Sequence, residues 1–178
     1  MKTMQNWLDE YGESHQNPVN KKIHWICVPA IMFSVIGLWW SIPHGYMPNI
    51  SDNLQLNWAI VITIFILLYY LRLSLLMAVG MFIIGFAVLA GNSYLATNFQ
   101  IPLWKISLIT FVVAWIGQFI GHKIEGKKPS FFQDIQFLLI GPAWLLSFIY
   151  NKLGIKYCLL YTSPSPRAAT LSRMPSSA

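Results

Sequence analysis

The chain has 178 residues, of which 56% are hydrophobic and only 10% charged, with a mean hydropathy of +0.52 and a net charge of +6. A soluble domain carries about 25% charged residues, and a soluble chain of this length could not hide so much apolar surface, so a soluble globular protein is excluded. The basic residues flank apolar runs, where they serve as headgroup contacts and topology signals rather than as a nucleic-acid surface, and the two cysteines, Cys27 and Cys158, set up no disulfide framework.

No cleavable leader is expected, because the first twenty residues are polar and include Asp9, Glu10 and Glu13. Residues 3–13 (TMQNWLDEYGE) predict a short helix capped by Thr3, with Trp7, Leu8 and Tyr11 on one side. It is too short and polar to span, which places it in the membrane interface. Asn17-Pro18 disfavours helix before the proline. The first span is expected from Ile23 to Ile42, with Pro29 kinking it and Trp39 and Trp40 at its far interface. A loop follows from Pro43 to Asn53, and Asp52 and Gln55 have the spacing of a capping box for the second span, Leu56 to Leu71.

Arg72 marks a tight turn before a third span, Leu73 to Ala90, in which Gly80 and Gly85 permit close helix contact. Residues 91–102 (GNSYLATNFQIP) read as a polar-aromatic loop, and the fourth span runs from Leu103 to Gly121, ending at His122. Ser130 and Gln133 form a capping box for a last helix that Gly141-Pro142 interrupts, giving a kinked fifth span or a re-entrant hairpin. Lys21, Lys22, Arg72 and the lysines after span four alternate with loops nearly free of basic residues. The positive-inside rule therefore puts both termini in the cytoplasm and favours four spans plus a hairpin. The fold class is thus all-α integral membrane, with residues 1–157 as a single domain. Residues 158–178 (CLLYTSPSPRAATLSRMPSSA) are a tail without apolar periodicity that resembles a translated sequencing adaptor, expected to be disordered and non-native.

Chemistry concentrates in two polar islands, YGESHQNPVNKKIHWICVP at 11–29 and GHKIEGKKPS at 121–130. In this topology His15, His24 and His122 share one membrane level, while His44 lies about a bilayer thickness away. Three convergent imidazoles suit a first-row metal such as iron or zinc, and a carboxylate beside histidines with open positions suits iron(II) and oxygen. Glu13, Glu125 and Asp134 are the carboxylates at that level; Glu125 and Asp134 are the candidate additional ligands. Asn17, Asn20 and Gln118 are candidates to orient the ring nitrogens. A single boundary histidine is more often an interfacial residue than a ligand, and the lysines more often anchor headgroups than act in chemistry. No P-loop, dinucleotide fingerprint, zinc-protease motif or CxxC pair occurs.

The order YxxxHxNPxNxxxHxxxxP, followed later by WIGQFIGHKIEGKKP, resembles the family of the fungal 2-hydroxy fatty acid dioxygenase over about residues 8–150. The resemblance implies His15, His24 and His122 as metal-site and catalytic residues, iron(II) as cofactor, and dioxygen and a long-chain 2-hydroxy fatty acid as substrates. It also implies α-oxidation that removes one carbon, in the bacterial inner membrane or the endoplasmic reticulum. This chain departs from the fungal pattern at Gln16, where that pattern has a second histidine, and between His122 and Pro129, where it is one residue shorter. Lys21, Lys22, Lys127 and Lys128 are candidates to attract the substrate carboxylate at the lipid surface. Two rival readings use the same residues: a zinc-dependent lipid hydrolase, and a small non-enzymatic membrane protein whose histidines only cap helices.

Overall fold

The computed structural model describes residues 2–51, 54–126 and 131–157, and of residues 51, 54 and 131–136 the backbone only. Lys127, Lys128, the Asp52 and Ser130-Gln133 capping pairs, the Asp134 side chain and the tail from Cys158 lie outside the described part. The described chain is helical apart from one small hairpin. Its elements are α1 (Met4–Glu13), α2 (Pro18–Trp40), β1 (Asn49–Ser51), β2 (Leu54–Gln55), α3 (Trp58–Leu73), α4 (Leu75–Asn98), α5 (Leu103–Glu125) and α6 (Phe131–Lys152).

Local chemistry sets these boundaries. Thr3 caps α1 by accepting from Asn6 N–H at 3.2 Å, as expected. The Asn17 side chain caps α2 by accepting from Val19 N–H, with Pro18 at the first helical position, so the helix begins five residues before the apolar run does. Consequently His24 sits two turns inside α2 rather than at its mouth. The segment after α2 holds an antiparallel pairing of β1 with β2 that hydropathy did not signal. Gln55 lies in β2 and donates to the Met47 carbonyl, and the cap of α3 is instead Asn57, which accepts from Ile60 N–H at 3.1 Å. Asn57 is 1% exposed. Asn57→Ala is therefore expected to lower stability by about 1 kcal/mol in detergent-denaturation curves; an unchanged midpoint would mean that this cap holds nothing.

Arg72 lies in the last turn of α3, and the break comes two residues later at Ser74, whose extended backbone ends α3 while its hydroxyl caps α4. The expected loop at 91–102 is helix as far as Asn98. The polar residues there donate back to the preceding turn, Asn92 to the Val88 carbonyl, Thr97 to Ser93 and Asn98 to Tyr94, and Asn92 also donates to the Phe33 carbonyl of α2. α5 likewise continues past Gly121 to Glu125, and Gly126 ends it in the left-handed region at φ 74°.

Three helices, α2, α4 and α5, are long and apolar enough to cross a membrane; α3 and the part of α6 from Phe137 are shorter apolar helices. Large apolar side chains on α3–α5, among them Phe65, Phe82, Ile83, Phe86 and Val113, face outward, as lipid-facing surface does and as the surface of a soluble monomer does not. α2 and α5 form the most extensive helix pair. They run antiparallel, with Gly37 against Ser107, Gly117 against Cys27 and Gly121 against Asn20. Gly117 and Gly121 are a GxxxG pair that lets the two backbones approach. Gly80 makes room for Leu146 and Tyr150, and Gly85 lies against Thr63, so the two glycines expected to permit close contact do so.

α6 differs from expectation. It is one helix through Gly141 and Pro142, not a hairpin. Tyr70 donates its hydroxyl to the Leu139 carbonyl, three residues before the proline, giving a partner to a backbone group beside the interrupted ladder. Its contacts to α3 and α4 fall at Tyr70, Leu76 and Gly80, all within two turns of Ser74. The helix thus lies across one end of the bundle. Lys152 and Lys156 thus lie near the end that also holds Arg72, since Tyr150 donates to the Leu76 carbonyl and Ser74 donates to the Tyr157 carbonyl. The apolar stripe of α1 (Met4, Leu8 and Tyr11) is buried in the same cluster as Ile140 and Trp144 of α6, so protein covers the face that the sequence assigns to the interface.

Candidate metal centre

Three elements deliver the three histidines. His15 follows α1 in a turn held by its own N–H donating to the Gly12 carbonyl at 3.0 Å. His24 comes from α2 and His122 from the last turn of α5. Because α2 and α5 are antiparallel, the start of one lies beside the end of the other, and the α1–α2 turn folds His15 onto both. The ligand atoms of the three rings lie within 4.8 Å of one another, the one group of metal-ligating side chains of this kind among the described residues. Ring centroids are 4.2 Å apart for His15 and His24, 5.4 Å for His15 and His122, and 5.3 Å for His24 and His122. Exposure of the three residues is 1%, 1% and 8%. His44 is at the far end of α2, its Nδ1 against the Ile42 carbonyl.

The hydrogen bonds fix which nitrogen carries the proton on two of the rings. His15 Nδ1–H donates to the Tyr11 carbonyl at 2.6 Å, and His24 Nδ1–H donates to the Asn20 carbonyl at 3.0 Å. A carbonyl only accepts, so both protons are on Nδ1 and both Nε2 atoms are bare in the neutral rings. Those two Nε2 atoms face each other at 2.8 Å. Two lone pairs at that distance repel unless a positive centre joins them. A proton could serve one pair; a metal ion serves this pair and the third imidazole. Nδ1 held by a main-chain carbonyl with Nε2 free toward the centre is the usual arrangement of a metal-ligating histidine. The donor set therefore fits a first-row metal.

Of the residues expected to orient the rings, Asn20 does so through its carbonyl rather than its side chain, and Gln118 interacts with the His24 ring. Asn17 touches neither ring; its side chain caps α2. Glu125 does not join the cluster. Its Oε1 accepts from Gln16 N–H at 2.8 Å, and its Oε2 accepts from Asn17 N–H at 2.9 Å and from Asn20 Nδ2 at 3.0 Å. The carboxylate is occupied at the N-terminus of α2, where the helix dipole favours an anion. Glu13 is exposed at the end of α1 and is not in the cluster either. Lys21 is half-buried and Lys22 exposed in the first turn of α2.

Hydropathy concealed the aromatic wall. Tyr11 stacks on His15 with centroids 4.1 Å apart and planes 9° from parallel, and Trp144 lies 5.4 Å from His15 and 5.2 Å from Tyr11. Phe137 meets Tyr11 edge-on at 5.3 Å. The usable signal was the four-residue spacing of Tyr11 and His15, the same spacing as Asn20 and His24; nothing local pointed to Trp144.

A bundle of apolar helices with three buried imidazoles converging at one end defines a helical membrane protein with a candidate histidine metal centre. The comparisons with known proteins give that class a family. The profile of the family described as 2-hydroxy-palmitic acid dioxygenase Mpo1-like matches residues 1–153, and the chain belongs to that family. It is 29% identical over 153 residues to the 2-hydroxy-palmitic acid dioxygenase MPO1 of Saccharomyces cerevisiae, covering 85% of this chain and 82% of the relative. A shorter similarity, 37% over 75 residues and 40% of each chain, is to a putative manganese efflux pump MntP of Crocosphaera subtropica. No solved structure matches.

Proposed function

We propose that the protein is an iron(II)-dependent dioxygenase that shortens long-chain 2-hydroxy fatty acids by one carbon at the membrane surface. The observation that carries this reading is the facing pair of bare Nε2 atoms on His15 and His24, with His122 beside them, in a chain whose family is described as 2-hydroxy-palmitic acid dioxygenase Mpo1-like. His15, His24 and His122 would hold the metal. When bound, iron(II) supplies the electrons that let dioxygen react with a closed-shell substrate. The balance is one 2-hydroxy acid and one O2 giving the shortened acid, CO2 and water.

The chain's own residues supply the rest. The Tyr11 and Asn20 carbonyls keep the Nδ1 protons in place, so that the Nε2 lone pairs stay directed at the centre. Tyr11, Trp144 and Phe137 exclude water from the His15 side. Lys21 and Lys22 are placed to attract the carboxylate of an amphipathic acid at headgroup level, and the lipid-facing helices leave its tail in hydrocarbon. The basic residues Lys21, Lys22, Arg72, Lys152 and Lys156 gather at the end that holds the site, which supports a cytoplasmic site in whichever host membrane carries the protein.

The test is anaerobic purification, loading with iron(II), addition of 2-hydroxypalmitate and exposure to oxygen. The expected product is the C15 acid, with one O2 consumed per acid formed and none formed with zinc in place of iron. Iron-loaded protein that leaves 2-hydroxypalmitate untouched would end the substrate assignment. Hydrolysis of an ester by the zinc form would favour the rival.

A further inference from the structure

We infer that Glu125 is a positioning residue of the metal centre: it bolts the His15 turn to the helix that carries His122, and it does so without ligating the ion. This rests on the metal-site reading above. His15 lies in a turn between helices, and a turn alone does not fix an imidazole to within a bond length. Its far side is fixed by Tyr11 and Trp144, but those residues belong to α1 and α6, neither of which carries another of the three histidines. A side-chain tie from this turn to the helix of His122 runs through Glu125.

The geometry is specific. The two backbone N–H groups immediately after His15, those of Gln16 and Asn17, both donate to the Glu125 carboxylate, at 2.8 Å and 2.9 Å. Asn20 Nδ2 completes the set at 3.0 Å. Asn20 in turn holds His24 Nδ1 through its own carbonyl. Glu125 is one turn beyond His122 on the same helix, and Gly126 turns the chain away immediately after it. One carboxylate thus joins the segment of His15, the turn that orients His24 and the helix of His122. Pro18 has no N–H, so the donors available at the start of α2 are those of Gln16 and Asn17, and Glu125 takes both. The Asn17 side chain is itself committed to capping α2 through Val19 N–H.

Charge matters as well as shape. Three donors converge on the two oxygens, which a carboxylate accepts and a carboxamide cannot match, since one end of an amide is itself a donor. Glu125→Gln keeps the volume and loses this match. Groups one step removed from a metal commonly contribute tenfold to a hundredfold in affinity.

The experiment measures cobalt(II) and iron(II) affinity of purified full-length wild type and Glu125→Gln by competition with a chelator, with circular dichroism as the fold check and the visible spectrum of the cobalt form as the coordination readout. The expected result is a helical, folded variant with metal affinity weakened roughly tenfold to a hundredfold, an unchanged cobalt spectrum at saturation, and activity restored by saturating iron(II). Equal affinity in the two proteins would overturn the inference, and so would a changed cobalt spectrum, which would make Glu125 a ligand. Should the variant fail to fold, Glu125→Asp gives the second measurement: its shorter reach must weaken metal binding, and wild-type affinity there overturns the proposal. A wild type that binds no metal defeats the metal-site reading itself, an outcome distinct from either.

Discussion

Replacing His24 by alanine is expected to strip the purified protein of iron and reduce product formation to background, the largest functional loss any single substitution should give. The ring is buried, its Nδ1 proton is committed to the Asn20 carbonyl, and its Nε2 faces His15 Nε2 at 2.8 Å. Without it, a three-imidazole set becomes two, and the remaining donors no longer enclose an ion. Metal content by mass spectrometry after gel filtration should fall to a small fraction of one equivalent. The same is expected of His122→Ala and His15→Ala, whereas His44→Ala, at the far end of α2, should keep full metal. A folding defect is separable from a ligand defect by thermal unfolding with and without added iron(II). In the wild type, metal at a hundred times its dissociation constant raises stability by about 2.7 kcal/mol; in the alanine variants that increment should vanish while the metal-free midpoint moves far less. Full occupancy in the His122→Ala protein would remove that residue from the proposed ligand set.

Much of this site could be read without coordinates, for a physical reason. In a bilayer, hydropathy fixes depth, and depth alone separated His44 from His15, His24 and His122. Directions around a helix are a different matter. His122 and Glu125 share a face of α5, yet one ring points to the imidazole cluster and the carboxylate crosses to the start of α2. No spacing rule distinguishes those fates, because the partner is the free end of another helix. Polar composition misled at residues 91–98, where Asn92, Thr97 and Asn98 return their hydrogen bonds to the preceding turn and leave the helix intact. Gly141-Pro142 misled in the opposite sense: packing of α6 across α3 and α4, with Tyr70 on the Leu139 carbonyl, carries the helix through a sequence that reads as a break. The Gly117/Gly121 pair carries no mark in hydropathy, and the contacts with Cys27 and Asn20 give it its partner helix.

That pair supports the second large effect, this one on stability. Gly121→Val is expected to destabilise the protein by about 3 kcal/mol, the upper part of the range for overpacking a tight interface, and to weaken metal binding with it. A Cβ at Gly121 collides with the Asn20 side-chain oxygen and comes to 3.5 Å from Ile23. Asn20 is fully buried and cannot swing aside without releasing the bond from its Nδ2 to Glu125. Valine recovers only a few tenths of a kcal/mol over glycine in helix propensity, so the collision decides the sign. The relief available is separation of α2 from α5, and those two helices carry His24 and His122; widening the interface moves the two rings apart before it unfolds anything. Metal affinity should therefore fall even at temperatures where the variant is fully folded. Gly45→Val is the control, since nothing lies within 4 Å of a Cβ there, and it should stay within about 0.5 kcal/mol of wild type. A Gly121→Val protein with wild-type unfolding and wild-type metal affinity would mean that the α2–α5 spacing is not what brings the imidazoles into range of one ion.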